Sequence, residues 1–373
     1  MTGQPSPALD YPGRIETLQA ALRRRKIDAI LVSRPENRRY LSGYTAPDHG
    51  INETSGLLFV PARGVPRLLT DFRYEIQAEQ ETSLEVLLYQ RGILALLKEL
   101  LGDSGVSRFA FESHYTLHSF SLKLGELAEK LGIELVPLSD TVEKLRTIKS
   151  AAEIDIIRRS VRLNESVFQS IHALLEPEMT EGSVASMIET KMREVGAEGP
   201  SFSTIVAAGI NGALPHAVPT GTPIGTDCML TIDMGLVLDG YCSDMTRTVT
   251  MGTVDDTGRK IHRLVRKAQL AGMAAVRPGV QIKDVDRAAR KIISAEGHGK
   301  HFGHSLGHGV GLAVHEAPSV SFRSRRKLKP GMIITIEPGI YIPGWGGVRL
   351  ENMVVVTKDG YENLNRDTTC LDI

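Results

Sequence analysis

Cysteine is scarce: Cys228, Cys242 and Cys370 are the only three in 373 residues. Their number and irregular spacing exclude a disulfide framework and a paired-cysteine zinc site, and they are expected to be buried free thiols. An excess of either charge is missing too. The 44 Lys+Arg balance 44 Asp+Glu, so no electrostatic footprint points to nucleic acid or an acidic membrane surface. No apolar run reaches the roughly 18 residues of a membrane span, and MTGQPSPALDYPGR lacks the basic-then-apolar order of a secretory signal. The expected location is the cytoplasm, and the expected partner is small. Low-complexity tracts and short repeat periods are absent as well. What remains is a chain of 42% apolar composition, enough for two soluble domains with sizeable cores.

Between residues 14 and 140, helical and strand-like patterns alternate. RIETLQAALRRRK repeats apolar positions at helical steps, and DAILVS, GLLFV, PRLLTD, EVLLY, RFAFE and IELVPL are short apolar runs. That order predicts an α/β domain over 1–145. It holds neither a phosphate-type glycine loop nor a carboxylate-histidine cluster, which marks it as support rather than chemistry. From 146 to 373 the helical stretches GSVASMIETKMREVG, GRKIHRLVRKAQLAGMAAV and IKDVDRAARKIISAEG interleave with strands near 203–208, 229–249 and 332–356. Helices packed on an antiparallel sheet, an α+β arrangement, are expected there.

Two stretches echo each other, TIDMG at 231 and TIEPG at 335. In the first, Asp239-Gly240 is a strong hairpin-turn signal. Placing those two residues at the turn sets 233 opposite 246 and puts Asp233, Asp244 and Thr246 on one face. Asp233 and Asp244 then become diagonal neighbours, roughly 7 to 8 Å apart at the backbone. In the second, Glu337 enters a Pro/Gly-rich turn, and Arg349 and Glu351 lie two apart on the returning strand. Two related hairpins would bring four carboxylates together, a repulsive set unless cations neutralise it. Hard divalent ions prefer oxygen ligands, with imidazole suiting Mn, Co, Fe or Zn, so the set reads as a dinuclear site. Such a pair holds a bridging water or hydroxide that attacks a polarised carbonyl; the implied reaction is hydrolysis. The histidine comes from HFGHSLGHGVGLAVHEAP, where glycines on both sides of His308 permit close backbone approach.

With PHAVP, TIDMGLVLDGYCSDMTRT, HSLGHGVGLAVHEAP, TIEPGIY and GGVRLE in place, the chain resembles the aminopeptidase P and prolidase family of metallopeptidases. The resemblance spans nearly the whole sequence. It implies a creatinase-like N-terminal α/β domain followed by a pita-bread catalytic domain. It also implies metal ligation by Asp233, Asp244, His308, Glu337 and Glu351, with Asp244 and Glu351 bridging. His216 and His315 match positions that contact the substrate carbonyl or shuttle protons, and Glu337 is a proton acceptor. His304 and Tyr341 match the lining of the proline pocket. Arg349 matches an arginine holding a metal-bound carboxylate, and Thr246 is expected to orient Asp233 across the hairpin.

The implied activity is removal of the N-terminal residue from Xaa-Pro peptides by two divalent ions, manganese first and cobalt or zinc as alternatives. The alternative activity is that of a prolidase, and a non-catalytic peptide-binding module of the same fold is a third reading. Prolidases of the family commonly carry an arginine after HE-x-P to hold the free carboxylate. Here HEAPSVS places Ser319 at that position, which favours an aminopeptidase, with Arg323, Arg325 or Arg326 as substitutes from another direction. The resemblance further implies a homodimer in which the polar loop GYTAPDHGINETSG serves as a lid.

Overall fold

The computed structural model describes residues 8–102 and 104–373 and divides into two compact units, Leu9–Arg146 and Thr147–Ile373.

In the first unit the short apolar runs become strands because their β-branched and aromatic side chains fit a surface buried between helices. Six of them form one mixed sheet. Ala29–Val32 lies antiparallel to Leu57–Pro61 on one side and parallel to Arg108–Glu112 on the other. Leu31, Phe59, Leu97 and Phe109 belong to its core. The helix Pro35–Ser42 carries the fully buried Arg38, whose Nη2 donates to Ala46 O and Ser55 Oγ, each at 2.7 Å. A buried guanidinium needs such acceptors, so it pins the polar loop 43–56 from beneath.

The second unit begins with the helix Ala151–His172, opened by a capping box in which Ser150 and Glu153 satisfy each other's backbone N–H. A second capping box at Thr180 opens Glu181–Glu194. These two helices pack their apolar stripes on the first echoing hairpin, through Val167, Phe168, Val184 and Ile188 against Leu230, Ile232 and Val249. The helices Asp256–Ala274 and Ile282–Ala295 pack in the same way on the second, through Val265, Ala268, Val285 and Ala289 against Ile334, Ile336 and Val354.

The hairpins differ from the continuous ladders that their alternation suggests. Asp239 and Gly240 occupy the turn, both at positive φ, and Leu238 pairs with Tyr241. The pairing stops at Gly235 and at Ser243-Asp244, then resumes with Met234 opposite Met245 and Asp233 opposite Thr246. A side chain on Gly235 would run into Ser243 O and Ser201 Oγ, so only glycine lets the strands cross so closely there. The second hairpin breaks in the same way. Gly339–Ile342 pairs with Gly346–Arg349, Ile333–Ile336 pairs with Asn352–Val356, and Glu337 and Glu351 lie in the gap. Asp244, Glu337 and Glu351 thus sit where backbone leaves the ladder, which frees their side chains to turn toward one point.

Candidate metal centre

The two hairpins meet along Thr246–Thr248 and Arg349–Glu351. Glu351 N donates to Thr246 O at 3.1 Å, Thr248 Oγ1 donates to Arg349 O at 3.0 Å, and Arg349 N donates to Thr248 Oγ1 at 3.0 Å. His308 arrives on the short strand Gly307–Gly309, whose Gly309 lies opposite Ile334. Its flanking glycines are dictated by packing: a side chain on Gly307 would strike Thr335 O, and one on Gly309 would strike Ala317 O. The structure brings Asp233, Asp244, His308, Glu337 and Glu351 to one cavity of about 600 Å³, which His216, His304, His315, Ser319, Tyr341 and Arg349 also line.

Ligand atoms of Asp244, His308 and Glu351 lie within 4.8 Å of one another. His308 Nε2 is 3.5 Å from Asp244 Oδ2 and 3.3 Å from Glu337 Oε1, while its Nδ1 donates to Gly309 O at 3.1 Å. Nε2 is therefore the nitrogen presented to the carboxylates. Burial, followed by the Glu351, Asp233 and Glu337 charges, holds Asp244 well above the usual carboxylate range. Burial and the Glu337 and Asp233 charges do the same to Glu351. Burial opposes ionisation of Glu337 too, but the His308 hydrogen bond and charge outweigh it and hold that carboxyl low. Burial works against a charge on His308, yet Glu337 and Glu351 raise it to about 9.

Arg349 is the cation of the cluster. Nη2 contacts Asp233 Oδ2 at 2.6 Å, Nη1 donates to Tyr341 Oη at 2.9 Å, and Nε donates to Thr246 Oγ1 at 3.1 Å. The Thr246 hydroxyl then donates to Glu351 Oε2 at 2.8 Å. From the hairpin alone, Thr246 is expected to orient Asp233. Their backbones are indeed opposite, but the second hairpin supplies the nearer carboxylate and captures the hydroxyl. His304 Nδ1 is 2.8 Å from Ser305 O and its Nε2 is 3.0 Å from Tyr341 Oη. Nδ1 thus carries the proton and Nε2 accepts from the phenol, which itself accepts from Arg349. Burial lowers the His304 pKa, consistent with this neutral ring. His315 packs edge-on to His308 at 4.3 Å between centroids, and burial followed by the His308 charge lowers it as well. His216 is exposed on the cavity wall. Its loop is organised by Glu181, whose carboxylate accepts from Ala208 N, Asn211 Nδ2 and both Thr220 donors.

Residues 155–358 match metallopeptidase family M24, and residues 14–148 match the creatinase/prolidase N-terminal domain. The chain belongs to metallopeptidase family M24. An uncharacterized peptidase of Bacillus subtilis, YqhT, is 37% identical over 352 residues, covering 93% of this chain and 96% of its own. The solved Xaa-Pro dipeptidase from Bacillus anthracis is 35% identical with a TM-score of 0.89, covering 96% of this chain and 98% of its own. The X-Pro aminopeptidase from Thermotoga maritima is 33% identical with a TM-score of 0.83, covering 91% and 95%. This M24 metallopeptidase accordingly has a creatinase-type N-terminal domain and a pita-bread catalytic domain, and it uses divalent metal ions.

The M24 residues fit such ions on structural grounds. Asp233 Oδ1 and Glu351 Oε1 are buried, and no donor among the described residues reaches either. An orphaned carboxylate oxygen is costly unless a cation meets it. Several supporting residues of this M24 chain carry no sequence signal of their own. Arg247 is fully buried and donates to Thr246 O, Glu351 O and Asp367 O, and burial pulls its pKa down to about 10. It alternates with Thr246 and Thr248 along the strand, and its acceptors come from distant segments. Lys149 Nζ contacts Glu316 Oε1 at 2.5 Å in another buried pair, directly beside His315. His298 and His301, which precede His304 in the chain, pair with each other away from the cavity lining. Of the cysteines, all free, Cys242 is buried whereas Cys228 and Cys370 are only partly so.

Proposed function

We propose that the chain is an Xaa-Pro aminopeptidase in which Asp233, Asp244, His308, Glu337 and Glu351 hold two divalent ions, manganese foremost. One observation carries this reading: four carboxylates and an imidazole converge in one cavity with two buried oxygens left over. When bound, such ions supply Lewis acidity that makes water nucleophilic at neutral pH and polarises the scissile carbonyl. Asp244 and Glu351, the carboxyls that burial and neighbouring charge hold highest, would be the ligands shared by the two ions. Glu337 is kept ionised by His308 and accepts the proton of the attacking water. His315 and His216 line the same cavity and face the carbonyl oxygen and the leaving nitrogen. Tyr341 and the neutral ring of His304 form a wall for the proline, which brings no amide hydrogen to satisfy.

The preference for an aminopeptidase over a dipeptidase rests on the missing anion clamp. Arg349 is the only Lys or Arg lining the cavity among the described residues, and Asp233 and Tyr341 already engage it. Ser319 lines the wall at the position after HE-x-P. The name of the Bacillus anthracis relative favours the dipeptidase alternative. Free thiols suit a reducing cytoplasm. The exposed Phe72 and Ile76, at 79% and 71%, suit a homodimer contact. The deciding experiment strips the protein with chelator, reloads it with manganese, cobalt or zinc, and profiles Xaa-Pro dipeptides, Xaa-Pro tripeptides and N-terminal Met peptides. Metal-restored cleavage of the tripeptides supports the assignment. Cleavage confined to dipeptides replaces it with the prolidase, and cleavage of Met peptides alone removes both.

A further inference from the structure

Five cations fall within seven residues after the strand Glu316–Val320: Arg323, Arg325, Arg326, Lys327 and Lys329. All five are exposed, and among the described residues none forms an ion pair. An unpaired run of one sign usually marks a mobile solvated loop, but this one is fastened. Ile282 N donates to Arg326 O at 2.9 Å, Lys283 N donates to Ser324 O at 3.2 Å, and Leu328 N donates to Val280 O at 2.9 Å. The backbone is thus fixed against the start of the helix Ile282–Ala295, and the charges are held together at a cost in mutual repulsion.

The loop continues directly from the cavity wall. Ser319 lines the cavity, and Phe322, three residues later, is 52% exposed. Arg290 links the two regions: its guanidinium lies 5.4 Å from the Phe322 ring, and Nη2 donates to His304 O at 2.8 Å. The chain turns between Ser319 and Arg323, with Ser324 N donating to Ser321 O at 2.9 Å, so the two lie closer than the roughly 13 Å of four extended steps and within reach of about four residues of an extended peptide. We propose that the loop Phe322–Lys329 is an outer subsite for the part of the peptide beyond the proline, and that it selects acidic side chains there. The inference rests on the Xaa-Pro reading above and specifies its substrates: peptides of five or more residues with a negatively charged C-terminal half. Charge complementarity at an exposed rim acts mainly on association, so its effect belongs in kcat/KM and fades with salt.

The test compares Ala-Pro-Ala-Ala-Asp-Asp and Ala-Pro-Ala-Ala-Lys-Lys, both C-terminally amidated, on the manganese-loaded protein. The acidic peptide is expected to have the larger kcat/KM by roughly tenfold at low ionic strength, with the ratio approaching one in concentrated salt. In the doubly reversed variant Arg325→Glu, Arg326→Glu, whose loop keeps three cations against two new carboxylates, the ratio is expected to fall close to one even at low salt, and the wild-type salt series stands as evidence even if that variant folds poorly. Equal cleavage of the two peptides at low salt overturns the subsite while leaving the Xaa-Pro assignment standing. Failure to cleave either of them, or Ala-Pro-Ala, removes both.

Discussion

Arg349 Nη2 lies 2.6 Å from Asp233 Oδ2, while Oδ1 of the same carboxylate is buried with no donor from the described residues. One oxygen is fixed by the guanidinium and the other is presented, which is how a supporting cation orients a ligand. Arg349 also holds Tyr341, Thr246 and Pro215 O, so its planar fork serves four acceptors at once. Arg349→Lys keeps the charge but not the fork and is expected to weaken manganese binding about tenfold; Arg349→Met is expected to weaken it by up to about a hundredfold. Calorimetric titration of the stripped protein checks this, and an unchanged affinity in Arg349→Met would exclude the orienting role.

Metal removal should leave a recognisable dependence on pH. Asp244 and Glu351 are held well above their ordinary values by burial and by neighbouring carboxylates, Glu351, Asp233 and Glu337 acting on Asp244, and Glu337 and Asp233 on Glu351. A raised folded-state pKa contributes stability that is fully present below the unfolded value, about 4, and is lost as pH rises through the folded one. The stripped protein therefore loses this contribution on going from acid toward neutral pH, while a bound divalent ion is expected to restore it, so the gap in Tm between the two forms should widen as pH rises. Asp244→Asn removes one of the repelling charges. In thermal scans of stripped samples its advantage over wild type should grow with pH, even as it binds less manganese. An advantage that does not change with pH would contradict the assigned cause.

Much of this site was legible in the sequence because hairpin geometry is local. Asp239-Gly240 fixed the register, and with it the pairing of Asp233 and Thr246 that the structure shows. The glycines around His308 likewise announced a close backbone approach. The interruptions at Gly235 and Glu337 were not legible, because alternation continues through them and only the crossing strands reveal them. The hydroxyl of Thr246 was assigned to the wrong carboxylate for a related reason: its acceptor Glu351 lies on the other hairpin, 105 positions away. Arg247 and Lys149 carry no local signal because their partners are equally remote, and a lone charge in a strand or before a helix reads as solvated.

The glycine beside His308 offers a direct steric test. Gly309 has no room for a Cβ, since Ala317 O occupies the space and belongs to backbone rather than to a flexible side chain. Gly309→Ala must widen the spacing between the Gly307–Gly309 strand and Glu316–Val320, and so shift His308 relative to Asp244 and Glu337. A destabilisation of about 1 to 3 kcal/mol is expected from such overpacking, together with reduced manganese binding. Chemical denaturation and metal titration report the two effects separately. Wild-type values for both would show that the strand spacing is more tolerant than the geometry implies.

Lys149 and Glu316 test whether the beginning of the catalytic unit controls its active site. Their side chains are 1% and 6% exposed, and the 2.5 Å contact joins the residue before Ser150's capping box to the residue after His315. Lys149→Met leaves a buried carboxylate without this cation and is expected to cost about 3 to 5 kcal/mol, whereas Lys149→Met with Glu316→Gln should recover much of it. Stability alone would not distinguish a positioning role from simple packing, so the double variant carries the decisive measurement. If the pair aims His315, the double variant should regain its Tm yet remain roughly tenfold low in kcat with KM little changed, because the imidazole acts on the transition state rather than on substrate binding. Full recovery of kcat along with Tm would reduce the pair to packing and leave His315 to be positioned by its edge-on contact with His308.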